Sequence, residues 1–153
     1  VGVGTTTPTV NTIFDSSGNS LFSNIQERIS TLTTISTNNF TANYANGSIF
    51  TVPAVTANYA LNLTYLPSLV DTTKTFSICL LTANTLNSNY IATSLTVANI
   101  AQGNVTGSSV TLLYNGGNSS VQNATNTKIT IQQILLLYIN TTLYALTNVS
   151  QFQ

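Results

Sequence analysis

Asn58–Tyr65 reads NYALNLTY, and its strict alternation decides the fold class. Tyr59, Leu61, Leu63 and Tyr65 fall on one side of an extended chain. Asn58, Ala60, Asn62 and Thr64 fall on the other, which is the two-residue period of a strand with one apolar and one wet face. In both directions from this segment, short runs of β-branched and aromatic residues return about every ten residues, separated by Asn, Gly and Ser. Strands are expected at 29–36, 39–44, 48–52, 75–82, 90–97, 108–114, 128–139 and 142–148, and only the short stretch 21–29 has a helical period. Strand spacing of this kind points to an all-β sandwich or barrel.

Two strands depart from alternation by being apolar on both sides. In 128–139 (KITIQQILLLYI), Ile129, Ile131, Leu135 and Leu137 share one face while Ile134, Leu136 and Tyr138 share the other. In 75–82 (TFSICLLT), Phe76, Ile78 and Leu80 oppose Cys79 and Leu81. An antiparallel sandwich strand normally turns one face to the core and the other to water, so something must cover the second face here. Another layer of the same chain and another subunit are the two candidates. For a chain of 153 residues the subunit is the expectation, with Ile134, Leu136, Tyr138, Cys79 and Leu81 as the interface, because apolar patches of that size seldom face water. Between the last two strands, Ile139-Asn140-Thr141-Thr142 reads as a tight turn.

Composition narrows the function classes. Charged residues make up only 4% of the chain, against about 25% in an ordinary soluble domain. Three cations against three anions leave no basic stripe to neutralise phosphates and no polybasic membrane patch, so neither nucleic acid nor membrane is an expected partner. Thr, Asn and Ser number 28, 20 and 16, which gives a polar but uncharged surface. The longest apolar run, Ile134–Ile139, is far short of the roughly 20 residues that span a bilayer as a helix. The chain has no Met, so its natural start is expected elsewhere. Residues 1–23, rich in Gly, Thr and Ser, read as a linker or the end of a stalk, with one domain over 24–153.

With no histidine, the usual general base and the commonest metal ligand are both missing, so neither enzyme activity nor a cofactor or metal is expected. Glu27 and Asp71 are the acids a paired-carboxylate glycosidase would need, but solvated surface or an ion pair is the preferred reading of each. Cys79 is alone and reads as a small buried hydrophobe. Uncharged ligands such as sugars are held by aromatic faces together with amides and hydroxyls. The loop clusters that combine these are Asn87-Ser88-Asn89-Tyr90 and Tyr114-Asn115-Gly116-Gly117-Asn118. Asn87, Asn89, Tyr90, Tyr114, Asn115 and Asn118 are therefore the candidate ligand-binding residues, and Asn115-Gly116-Gly117 also reads as a turn.

Several of these features come in a familiar order. Gln26-Glu27-Arg28-Ile29 is followed by Asn58-Tyr59-Ala60-Leu61-Asn62-Leu63 with Pro67 behind it, then by Tyr114-Asn115-Gly116-Gly117 before a Ser/Asn-rich loop, and by a paired-strand ending through Ile131 to Phe152. From Gln26 to Gln153 the chain resembles the C-terminal head domain of tail fibres from large tailed phages, especially those of marine cyanobacteria. Similar heads occur in giant viruses and in fibres of predatory bacteria. The leader Val3-Gly4-Thr5-Thr6-Thr7-Pro8 looks like the punctuation of such fibre shafts.

The resemblance implies a homotrimeric, jelly-roll-like antiparallel β-sandwich head at the fibre tip, on the virion surface, joined to an upstream shaft. Its partner would be a host-surface glycan or protein. The family usually carries Trp where this chain has Tyr114, and its ligand loops vary too much for any receptor residue to be transferred. The rival expectations are a capsid or fibre cap that binds no ligand, and a head that depolymerises host polysaccharide.

Overall fold

The computed structural model describes residues 27–66, 75–83, 90–98, 108–117, 129–139 and 142–152. The expected linker 1–23, the helical stretch as far as residue 26, the candidates Asn87, Asn89 and Asn118, and the turn residues 140–141 lie outside the described residues. Within them the regular structure is all β, apart from single 3-10 turns at Tyr44–Asn46 and Asn115–Gly117. The strands are β1 (Ile29–Thr31), β2 (Thr33–Ser36), β3 (Asn39–Asn43), β4 (Ile49–Val52), β5 (Tyr59–Thr64) and β6 (Thr75–Ala83). They continue as β7 (Ala92–Val97), β8 (Ser108–Val110), β9 (Leu112–Tyr114), β10 (Ile129–Ile139) and β11 (Thr142–Phe152).

These strands form two sheets, a six-stranded one in the order β1-β4-β6-β10-β11-β9 and a five-stranded one in the order β2-β3-β5-β7-β8. The expected antiparallel arrangement is corrected, because both sheets are mixed. β1 and β4, β4 and β6, β3 and β5, β5 and β7, and β9 and β11 all run parallel. Connectivity is the cause. From β3 to β7 the chain changes sheet at every step, so each strand returns to its own sheet running the same way as the previous one there.

Sheet changes also split two expected strands. The segment 29–36 serves the six-stranded sheet as β1 and the five-stranded sheet as β2, with buried Leu32 at the crossing and its N–H donating to the Thr51 carbonyl at 3.0 Å. The segment 108–114 does the same through Thr111. A strand that passes from one sheet to the other makes a corner without needing a loop.

One buried cluster draws on both sheets, with Phe40, Leu61, Leu63 and Leu95 from the five-stranded sheet and Phe50, Ile78, Leu80, Ile134 and Leu136 from the six-stranded one. β5 alternates as its sequence requires, with Tyr59, Leu61 and Leu63 buried. Tyr65 leaves the pattern. A φ of 59° turns the chain out of the strand, so Tyr65 is exposed and Leu66 takes the buried position.

Near the start of the described chain, Gly47 holds a close crossing. Its φ is 131°, and a Cβ there would lie 2.8 Å from the Arg28 carbonyl oxygen, so only glycine lets the Arg28 backbone pass. The Asn43 side chain caps the preceding turn by accepting from the Ala45 N–H at 3.0 Å, and the Ser30 hydroxyl donates to the Asn46 carbonyl at 3.0 Å. This crossing positions Glu27 against the six-stranded sheet.

Candidate interaction face

Register sorts the side chains on the outer side of the six-stranded sheet into rows. One row crosses five strands as Ile29, Ile49, Cys79, Gln133 and Asn148. On one side of it runs Thr31, Thr51, Leu81, Ile131 and Ser150. On the other runs Ser77, Leu135, Leu146 and Leu113, of which the three leucines are 38, 42 and 42% exposed. Ile129 and Phe152 close one end of the face, and Leu137, Tyr144 and Ile139 the other.

The five-stranded sheet has the opposite chemistry outside. Its central row is Thr33, Thr41, Asn62, Thr96 and Ser109, a hydroxyl or amide on every strand. Asn62 Nδ2 donates to Asn39 Oδ1 at 2.7 Å and to the Phe40 carbonyl at 3.2 Å, which fixes that row to its neighbour.

A groove of about 800 Å³ crosses the middle of the six-stranded face. Its floor is Cys79, Gln133, Leu135, Leu146 and Asn148, with Glu27 and Ser48 at the β4 side and Tyr114 and Asn115 at the β9 side. Glu27 and Arg28 are the only charged residues among those described. Burial, and after it the Glu27 carboxylate, push the Cys79 thiol above its ordinary value; the same two causes in the same order raise the Tyr44 phenol. A thiol held up in this way stays protonated at neutral pH and is a poor nucleophile.

The structure brings Tyr114, Asn115 and Cys79 to one groove, although the sequence assigned them to different roles. Asn115 is exposed in its 3-10 turn, and Gly117 closes that turn with a φ of 76°. Tyr114 is tied inward, since its hydroxyl donates to the Ala92 carbonyl at 2.9 Å and burial raises its pKa. Tyr90 is half-buried ahead of β7 and does not line the groove.

The expected interface set divides between two faces. Cys79 and Leu81 stand on the outer face, in register with Gln133 and Ile131. Ile134 and Leu136 are corrected: they are 1% and 0% exposed within the chain's own core, and Tyr138 shares their phase. The outward residues of β10 are Ile129, Ile131, Gln133, Leu135, Leu137 and Ile139. Alternation separates the two faces of such a strand, but with both apolar it does not say which one faces in.

Sequence reasoning missed a polar cluster inside the core. Thr82, Thr130, Gln132 and Thr147 are all buried on the inner side of the six-stranded sheet. The Gln132 amide accepts from the Ala92 N–H at 2.8 Å and donates to the Ala92 carbonyl at 2.9 Å and to Thr147 Oγ1 at 3.3 Å. Thr130 and Gln132 share the phase of Ile134 and Leu136, but with both faces of β10 apolar that phase alone did not mark them as core residues. The Tyr59 hydroxyl is buried close to Thr82 and Ala92 but makes a well-formed hydrogen bond to neither.

Among the described residues no three His, Cys, Asp or Glu side chains gather as a metal site, and no helix is long and apolar enough to cross a membrane. Neither a family model, nor a curated protein, nor a solved structure matches the chain.

Proposed function

We propose that this chain is the trimeric β-sandwich head of a viral fibre, a non-catalytic adhesion module at the virion surface that binds a host-cell glycan or protein. The observation that carries the reading is the contrast between its two outer faces, one presenting aliphatic side chains on each of six strands and the other a central row of hydroxyls and amides across five. An aliphatic face suits burial in an assembly. An uncharged polar exterior, with loops at its ends, suits reversible contact with sugars, which are bound through amides, hydroxyls and ring faces. Asn115 is the described residue best exposed for that contact, and Asn87, Asn89, Tyr90 and Asn118 complete the candidate set. Tyr114 is anchored by its bond to Ala92, and its ring, which lines the groove beside Asn115, belongs to the same candidate set. Residues 1–23 would join the head to its shaft. Individually weak sites gain strength when three heads act together, so no single contact has to be tight.

Binding of the 153-residue chain to a glycan array and to whole host cells tests this, with Asn115→Ala as the probe of the loop. Retained glycan or cell binding that weakens in the variant supports adhesion. No binding to either favours a structural cap, and release of oligosaccharide from host polysaccharide overturns the non-catalytic reading in favour of a depolymerase.

A further inference from the structure

We propose that the outer face of the six-stranded sheet is a self-association surface, covered by another copy of this chain. This deepens the assembly half of the reading above and is independent of any receptor. Among the described residues, every large apolar side chain left exposed stands on this face except Ile35 and Tyr65. Such concentration on one side of a molecule marks an interaction site, whereas scattered exposure does not.

Size excludes a small ligand as the occupant. The exposed apolar residues run from Ile129 and Phe152 at one end of β10 and β11 to Ile139 at the other. At about 3.3 Å per residue, strands of this length span roughly 33 Å. A ligand seated in the central groove would leave both ends bare. Counting outward residues at the spacings of a sheet gives the face a footprint of roughly 700 Å². That is close to the ~800 Å² each partner contributes to a standard stable interface.

Charge points to a copy of the same chain. No outward residue of the six strands is ionised, and Glu27 stands at the groove's edge beside Arg28. Apart from Glu27 at the edge, two such faces therefore bring no like charges together, while a charged partner would leave its own groups desolvated and unpaired. The polar groups on the face suit their own kind as well. Gln133 and Asn148 are a cross-strand pair at its centre, and each amide both donates and accepts.

The test is the solution mass of the 153-residue chain by light scattering, beside Leu135→Glu and Leu146→Glu on this face and Thr96→Glu on the other sheet. Circular dichroism confirms that each variant folds. The expected result is a stable wild-type oligomer at micromolar concentration and an association at least about 100-fold weaker where a carboxylate is buried in the seam, so that both leucine variants become folded monomers and Thr96→Glu remains assembled. An oligomer that survives both leucine variants overturns the proposal. So does a wild-type monomer, and there faster hydrogen exchange in β10 once residues 1–26 are removed would identify those residues as the cover instead. A dimer through this face keeps the proposal and removes the trimer. Glycan binding by a monomer removes the proposal and keeps adhesion, and assembly without binding does the reverse.

Discussion

Gln132 and Ala92 are joined by a reciprocal pair of hydrogen bonds across the core: the backbone N–H of Ala92 donates to Oε1 at 2.8 Å, and Nε2 donates to the Ala92 carbonyl at 2.9 Å. Gln132 belongs to the six-stranded sheet and Ala92 to the five-stranded one, so a side chain does here what a neighbouring strand does elsewhere. Replacing it with an apolar residue leaves a buried peptide N–H without a partner. Gln132→Leu is expected to cost about 3 kcal/mol, seen as a lower urea midpoint with an unchanged m-value. Tyr114→Phe, which leaves the Ala92 carbonyl one donor, should cost about 1 kcal/mol alone and more in the Gln132→Leu background. Equal costs in both backgrounds would show that the two donors act independently.

Burial holds the Tyr59 phenol well above the ordinary tyrosine value of 10.0. Because the folded chain keeps that proton while the unfolded chain releases it, the contribution to stability is complete below pH 10 and shrinks as pH rises above it. Unfolding free energy should therefore fall with pH on the alkaline side, and Tyr59→Phe should flatten that fall. At pH 7 the same substitution removes a hydroxyl with no well-formed bond, so its effect is expected to stay under about 1 kcal/mol. A loss well beyond that at neutral pH would mean that the hydroxyl is bonded after all.

At Gly47 the backbone has φ 131° and ψ −175°, a region open almost only to glycine. Gly47→Ala adds both that strain and a methyl 2.8 Å from the Arg28 carbonyl oxygen. The expected loss is about 2 kcal/mol, measured by thermal unfolding, and it should be accompanied by faster proteolysis at Arg28. A variant as stable and as resistant as the wild type would show that the crossing can shift at no cost.

Neighbouring residues of β10 should respond in opposite ways. Ile134→Ala opens a cavity in the core and is expected to cost about 3 kcal/mol, whereas Leu135→Ala in the dissociated chain should cost well under 1 kcal/mol. Chemical denaturation under dissociating conditions compares the two. Equal losses would mean that the outer side is already covered from within the chain.

Strand positions were legible because alternation and turn residues are local signals: β5, β6 and β10 begin within a residue of where NYALNLTY, TFSICLLT and KITIQQILLLYI place them. Neighbour relations were not legible. Alternation reports which face a residue occupies but carries no information on which strand lies beside it, so the parallel pairing of β3 with β5 and of β4 with β6 had no local signature. The crossings at Leu32 and Thr111 were hidden for a related reason, since a strand that changes sheets through one residue still reads as one strand. At the candidate site, Tyr114 and Asn115 could be found as an aromatic and an amide beside a turn. Gln132 and Gln133 could not be told apart. They stand next to each other on opposite faces, one paired with Ala92 in the core and one in the groove.

The order of strands in the six-stranded sheet has a consequence for synthesis. β1, β4 and β6 leave the ribosome well ahead of β10, the strand that pairs with the remaining edge of β6. Until then Thr75–Ala83 offers a nine-residue template to any passing chain. β10 and β11 are consecutive in the chain and antiparallel neighbours in the sheet, so they can arrive as a ready hairpin and seal that edge in one step. Translation that pauses before the hairpin emerges leaves the nascent sheet unsealed, and it is at that moment, more than in the finished protein, that the chain is most open to aggregation.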